Sequence, residues 1–135
     1  MLKAVSSLQD WSLLILRVIV AAAFLVHGAM KWGLWTADAM AMSDTMLLIF
    51  KILSILEPLA GIALILGIFT PVAAAMLGVI MLGAMFMKID VMQVAYSVQQ
   101  GTGWEFDLTL LGANFVLLAF GAGKFSLDQS MGKNV

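Results

Sequence analysis

A long apolar run that contains a carboxylate constrains this chain more than any other feature. The run extends from Met46 to Phe69, and Glu57 lies near its middle. At roughly 1.5 Å per helical residue, some twenty apolar residues match a hydrocarbon core of about 30 Å. An acidic side chain near the midplane of a bilayer costs about 2.5 to 3.5 kcal/mol. Glu57 is therefore expected to face other helices or a wet cavity.

Pro58 is expected to free a second polar group near this carboxylate, the backbone carbonyl of Ser54. Because proline has no N–H, the carbonyl of Ser54 loses its helical partner and the helix is kinked. A free acceptor is then expected one turn from the acid. Two interpretations of Glu57 stay open, namely a position that handles protons or binds a ligand, and an interhelical hydrogen bond that holds the helices together.

The composition of the whole chain is that of a polytopic membrane protein. Hydrophobic residues make up 63% of the 135 residues, charged residues make up 11%, and the mean hydropathy is +1.07. We predict an all-α integral membrane protein, a four-helix antiparallel bundle that forms a single transmembrane domain over residues 1–135. The predicted spans are approximately 12–30, 46–69, 71–87 and 105–120.

Charge and cysteine content exclude several functions and suggest an orientation. The net charge of -1, without a basic run, argues against nucleic acid as a partner, whereas the lipid bilayer is the expected surrounding. The sequence has no cysteine, which rules out thiol exchange and thiolate metal sites on these residues. An even number of spans places both termini on one side. A small excess of basic residues there favours the cytoplasmic face of a bacterial inner membrane, the residues being Lys3, Arg17, Lys124 and Lys133.

Polar residues of the other predicted spans are candidate partners of Glu57. The candidates are Arg17, His27, Lys31, Lys51 and Asn114. Arg17 and Lys31 fall broadly on one helical face, with His27 at its edge, and this face should look inward. A carboxylate, an imidazole and a cation around an apolar cavity could hydrogen-bond a quinone head group and exchange protons as it is reduced. We therefore predict Glu57 as the catalytic residue, with ligand binding by Arg17, His27, Lys31 and Asn114. Alternatively, Arg17 merely neutralises Glu57, or each of the two side chains snorkels separately to a membrane surface.

Polar residues also mark the predicted starts of two helices. Thr70 followed by Pro71 predicts a hydroxyl N-cap and a tight turn before the third span. Glu105 and Asp107 fall in the first turn of the last span, where acids favour a helix N-terminus. These two acids could gate an outer opening, but a solvated helix cap is the favoured interpretation.

A methionine-rich stretch suggests a soft metal site. Met40, Met42 and Met46 lie in one predicted outer loop and the start of the next helix, near His27. Thioethers together with an imidazole can hold Cu(I). Methionine also fills gaps and faces lipid, which is the simpler explanation, and no metal is assigned.

Several stretches together resemble the DoxX family of small four-helix membrane proteins. They are LLILRVIVAAAFLVHGAMKW, LEPLAGIALILGIFTP, Glu105 before the last span, and GAGKFSLD near the end. The last of these is similar to the family's Gly-Pro-Gly-Arg-Tyr-Ser-Leu-Asp ending, with Ala122 at the proline and Lys124 at the arginine. A contact that arginine makes with two hydrogen bonds in other members would here be made by the single point charge of the lysine ammonium. The resemblance implies a four-helix bundle and an association with thiosulfate–quinone and quinol redox systems.

Three functions follow as hypotheses. The preferred one is a membrane subunit of a redox system that binds quinone or quinol in the bundle, with Glu57 exchanging a proton and electrons supplied by a partner protein. The second is a noncatalytic accessory or structural subunit of a larger membrane complex. The third and weaker one is a transporter of a small molecule or metal centred on Glu57.

Overall fold

The protein is built from helices throughout the part of the chain that the structure describes. This computed structural model describes residues 2–36 and 42–132. Its α-helices are α1 (Leu2–Met30), α2 (Asp44–Leu66), α3 (Thr70–Phe86), α4 (Trp104–Phe120) and the short α5 (Leu127–Ser130). A 3₁₀ turn, Lys31–Trp35, continues from α1, and a π-helical turn, Met87–Val91, continues from α3. The predicted all-α class is confirmed.

Three helical stretches are long and apolar enough to cross a membrane, judged by length and composition. They are Ser7–Trp35, Asp44–Leu66 and Thr70–Val91. The helix α4 has 17 residues and is not one of these three. A multi-pass membrane protein is thus supported, while the antiparallel order of four spans stays a prediction.

The helices pack mainly as two pairs. The helix α1 packs along α2, and α3 packs along α4, with fewer contacts between the pairs. The core between them contains large side chains that are at most 1% exposed, namely Val20, Phe24, Leu64, Leu77 and Leu117. Many other apolar side chains face outward, such as Ile19 with 60% exposed. This distribution is expected where lipid tails, which are as apolar as leucine, cover the outer surface.

A glycine lets α1 approach the proline of α2 closely. A Cβ added at Gly28 would lie 2.4 Å from both Cδ and Cγ of Pro58. Small residues at helix interfaces in lipid allow this kind of backbone approach. The contact lies next to Glu57 in sequence, so it fixes how far the end of α1 stands from the carboxylate.

The turn between α2 and α3 is capped by a distant residue. Phe69 is the N-cap with a φ of 48°, and Thr70 is already the first residue of α3. The Thr70 hydroxyl is buried and makes no hydrogen bond with the described residues, while its N–H donates to Asp128 Oδ2 at 3.4 Å. The predicted Thr70 N-cap is therefore wrong, because a carboxylate from the end of the chain takes that place.

Residues 121–132, the tail segment, fold back across one end of the molecule. The Asp128 N–H donates to the Gly67 carbonyl at 3.0 Å, and the Lys124 N–H donates to Asp10 Oδ1 at 3.1 Å. The Phe125 ring lies 4.7 Å from the Trp11 ring. The tail segment thus joins the start of α1 to the turn after α2. We call this the tail end of the molecule and the opposite end, where α1 finishes, the cavity end.

Candidate functional site

A cavity of about 520 Å³ lies at the cavity end, between the two helix pairs. Ligand pockets commonly have volumes of about 300 to 1,000 Å³, with mostly apolar walls and a few polar groups. The wall here is built from the end of α1, the first half of α2, the end of α3 and the start of α4. Its polar residues are His27, Lys31, Glu57, Lys88, Thr102 and Asp107. The cavity therefore has the size and lining of a small-molecule site.

Glu57 lies in the wall of this cavity and is paired with Lys31. Its side chain is 3% exposed, and its Oε2 accepts a hydrogen bond from Lys31 Nζ at 2.6 Å. The ammonium also donates to the carbonyl of His27 at 3.0 Å. A buried carboxylate needs a counter-charge and hydrogen bonds to be tolerated. The residue that neutralises Glu57 is Lys31 and not Arg17.

A second ion pair, Lys88 with Asp107, lies in the same wall. Lys88 Nζ is 2.7 Å from Asp107 Oδ2, at angles outside those of a hydrogen bond. The ammonium donates to Thr102 Oγ1 at 3.1 Å and to the Gly103 carbonyl at 3.2 Å. Asp107 is 4% exposed, so its predicted role as a solvated helix cap is wrong. The sequence did carry a signal for this ion pair, because Lys88 directly follows one predicted span and Asp107 lies at the start of the next.

His27 lines the same cavity as the two ion pairs. Its imidazole interacts electrostatically with all four of their charges, and its ring lies 5.1 Å from the ring of Phe106. The ring nitrogens make no hydrogen bond with the described residues. An imidazole has a donor or acceptor at each nitrogen, so His27 is free to engage a ligand in the cavity.

Arg17 and Asn114, the other predicted site residues, do not line the cavity. Arg17 is fully buried at the tail end, where Nη2 donates to the carbonyl of Phe125 and the guanidinium interacts electrostatically with Asp128. Asn114 is buried in α4 and donates from Nδ2 to the Leu110 carbonyl at 2.9 Å. The structure thus brings Glu57 together with His27 and Lys31 and places Arg17 with the tail segment.

The carbonyl that Pro58 leaves without a helical partner is occupied. Trp32 Nε1 donates to the Ser54 carbonyl at 2.9 Å, and Trp35 Nε1 donates to the Ser54 hydroxyl at 3.0 Å. Lys51 Nζ lies 5.3 Å from the centre of the Trp35 ring. Both indoles belong to the 3₁₀ turn that begins with Lys31. The proline therefore creates an acceptor that fixes this turn and holds Lys31 close to Glu57.

The methionine-rich stretch falls partly outside the described residues. Met40 is among those not described. Met46 lines the cavity, and Met42 lines an adjoining pocket of about 300 Å³ that shares His27 and Lys31 with it. A copper site here stays a prediction.

These features define a class: an all-helical protein with helices able to cross a membrane and an apolar cavity that contains two neutralised ion pairs. The chain belongs to the DoxX family, whose model matches residues 12–90. The matched range contains Lys31, Glu57 and Lys88 but ends before Asp107 and the tail segment. The match therefore does not test the resemblance of GAGKFSLD to the family's ending. No match was found among curated proteins or among solved structures.

Proposed function

We propose that this protein is an integral membrane subunit of a redox system that binds a quinone or quinol in the cavity, with Glu57 as the residue that exchanges protons. The observation that supports this most is the Lys31–Glu57 pair, which lies in a mostly apolar wall beside an imidazole that makes no hydrogen bond with the described residues. Intramembrane ionisable residues of this kind commonly mark ligand or proton pathways. A quinone supplies hydrogen-bond acceptors at its carbonyl oxygens and redox chemistry that consumes or releases protons.

Each polar residue at one side of the cavity has a distinct task in this proposal. Lys31 and His27 donate hydrogen bonds that hold and orient the ligand head group. Glu57 accepts or returns a proton at Oε2, and Lys31 stabilises its charged form. The adjoining pocket, which His27 and Lys31 also line, gives protons a route to the cavity. The apolar wall excludes bulk water, which strengthens each of these interactions.

The membrane arrangement completes the proposal. The helix α4 acts as the fourth span of an antiparallel bundle within one transmembrane domain, so the tail end and both termini face the cytoplasm of a bacterium. This arrangement is supported by the tail segment, which meets the start of α1 and the end of α2 at one end of the molecule. Electrons reach the ligand from a partner protein of the membrane or redox system.

Quinone content and quinone binding test the proposal. Lipid extracts of the purified protein are expected to contain quinone, and a short-chain quinone is expected to bind with one molecule per chain. Glu57→Gln should retain binding but slow quinone-coupled proton uptake in the assembled system by about a hundredfold, as expected for loss of a general acid–base group. Asp44→Asn, at the exposed start of α2, is the control. Protein that carries no quinone, together with full activity of Glu57→Gln, would contradict the proposal.

A noncatalytic accessory subunit is the second candidate. The observation that favours it is that each ammonium in the cavity already has a carboxylate partner, so both ion pairs can stabilise packing without a ligand. On this interpretation, a larger membrane complex should lose assembly when the protein is deleted and recover it fully with Glu57→Gln. An isolated protein that is stable and fully active alone would exclude this role.

A further inference from the structure

We infer that the ligand enters the cavity from within the bilayer, through an opening between the first half of α2 and the end of α3, and that its hydrocarbon chain lies in this opening. We call it the side opening and define it by Ile49 of α2 and by Gly83 and Phe86 of α3, which all line the cavity. This inference rests on the proposed function, because it concerns the same cavity. It adds Gly83 as a residue that selects ligands with a long chain.

The opposite side of the cavity, between α1 and α4, is closed. The rings of His27 and Phe106 lie 5.1 Å apart and join the end of α1 to the start of α4. Phe24 of α1 and Leu110 of α4 line the same wall and are 1% and 7% exposed. The contact between these two helices therefore bars a ligand on this side.

The side between α2 and α3 is open. Ile49 and Phe86 line the cavity, yet they are 46% and 60% exposed, and Gly83 is exposed as well. A Cβ added at Gly83 would meet nothing within 4 Å, so no side chain fills the space in front of this glycine. Among the described residues, no hydrogen bond or ring contact joins the first half of α2 to the end of α3. The cavity thus reaches the outer surface of the molecule here.

The side opening lies at the depth of lipid tails. Asp44–Leu66 and Thr70–Val91 are the stretches of α2 and α3 that are long and apolar enough to cross a membrane. At roughly 1.5 Å per helical residue, Ile49 lies about 8 Å and Gly83 about 12 Å inside the ends of these stretches. Where the stretches cross a membrane, hydrocarbon surrounds the opening.

The polarity of the wall suits an amphiphile with its chain in the side opening. Every described residue that α2 and α3 contribute to the wall is apolar except Glu57. A head group beside Glu57 and His27 therefore leaves its chain against apolar residues. The chain gains or loses little on moving from lipid into such a groove, because both surroundings are apolar. Met92 and Thr102 mark a second opening at the end of the molecule, where the same chain would meet water.

Two probes with one head group, and substitutions at the edges of the side opening, test this route. The probes are a benzoquinone with a long alkyl chain and the same quinone with a methyl group in its place. Gly83→Leu fills the opening from α3, and Ile49→Trp narrows it from α2 and replaces Gly83→Leu if thermal unfolding shows that the latter does not fold. The control is Gly112→Leu in α4, because a Cβ there also meets nothing within 4 Å and Gly112 does not line the cavity. Each variant is compared with the unmodified protein for the same probe, so partition of the chain into detergent cancels.

Gly83→Leu is expected to bind the long-chain probe at least about tenfold more weakly, because the chain must leave through the second opening. Exposure of about two methylene groups to water is enough for this effect. The methyl probe can still enter there and should stay within about twofold, as should both probes in Gly112→Leu.

Equal losses for the two probes, or unchanged binding of the long-chain probe, would overturn the side opening while leaving the proposed function intact. If the unmodified protein binds neither probe, the proposed function fails as well.

Discussion

A single buried carboxylate and its cation decide whether the cavity end is stable. Glu57→Leu would leave the ammonium of Lys31, whose side chain is 17% exposed, without its partner among apolar residues. We expect a loss of about 2 kcal/mol in the free energy of unfolding, reduced from the fully buried case by partial access to solvent. Combining Lys31→Met with Glu57→Leu should recover most of this loss. Denaturant unfolding in detergent measures both variants, and a double variant as unstable as the sum of the single ones would refute this account.

The hydrogen bond from Trp32 should matter only because residue 58 is a proline. Trp32→Phe removes the donor to the Ser54 carbonyl and should lower the free energy of unfolding by about 1 kcal/mol. In a Pro58→Ala background, the new N–H of residue 58 can restore the helical bond to that carbonyl, so Trp32→Phe should cost almost nothing. A double-mutant cycle measured by unfolding tests this coupling. Equal costs in the two backgrounds would show that the indole acts through its ring alone.

At the scale of the elements, the packing of α1 on α2 depends on a glycine, Gly28, which has no side chain. Gly28→Ala places a Cβ 2.4 Å from two carbons of Pro58, so α1 must move away from α2. We expect this overpacking to lower the free energy of unfolding by about 2 kcal/mol. Gly112→Ala in α4 is the matched control, because nothing lies within 4 Å of its added Cβ. That control should be neutral or stabilising by up to about 1 kcal/mol. Similar effects of both substitutions would contradict the close contact.

The sequence predicted the local features of these elements better than their partners. The apolar run, its carboxylate and the acceptor freed by Pro58 all followed from residue chemistry, whereas the family followed from the resemblance of several stretches to known members. The partner of Glu57 did not, because Arg17 and Lys31 share a helical face and only the tail segment distinguishes them. That segment supplies the Phe125 carbonyl and Asp128 to Arg17. Such contacts join residues more than a hundred positions apart, which periodicity does not reveal.

For the molecule as a whole, the proposed orientation places the tail end and the cavity end on opposite sides of the membrane. Because the sequence has no cysteine, single cysteines report accessibility without background. Gln129→Cys in the tail segment and Gln99→Cys in the loop before α4 are both at exposed positions. In intact cells, an impermeant maleimide is expected to label residue 99 and to leave residue 129 unlabelled until the membrane is opened. Labelling of both from one side would refute the orientation.

The contact of Arg17 with Phe125 also has a consequence for biosynthesis. The two residues are 108 positions apart, so α1 is made long before the carbonyl that receives its guanidinium. During translation, α1 must therefore hold its arginine near water or against another molecule until residue 125 has left the ribosome. A chain interrupted before residue 125 would lack both the carbonyl of Phe125 and the carboxylate of Asp128, so the Arg17 cation of α1 would have to find water or another partner.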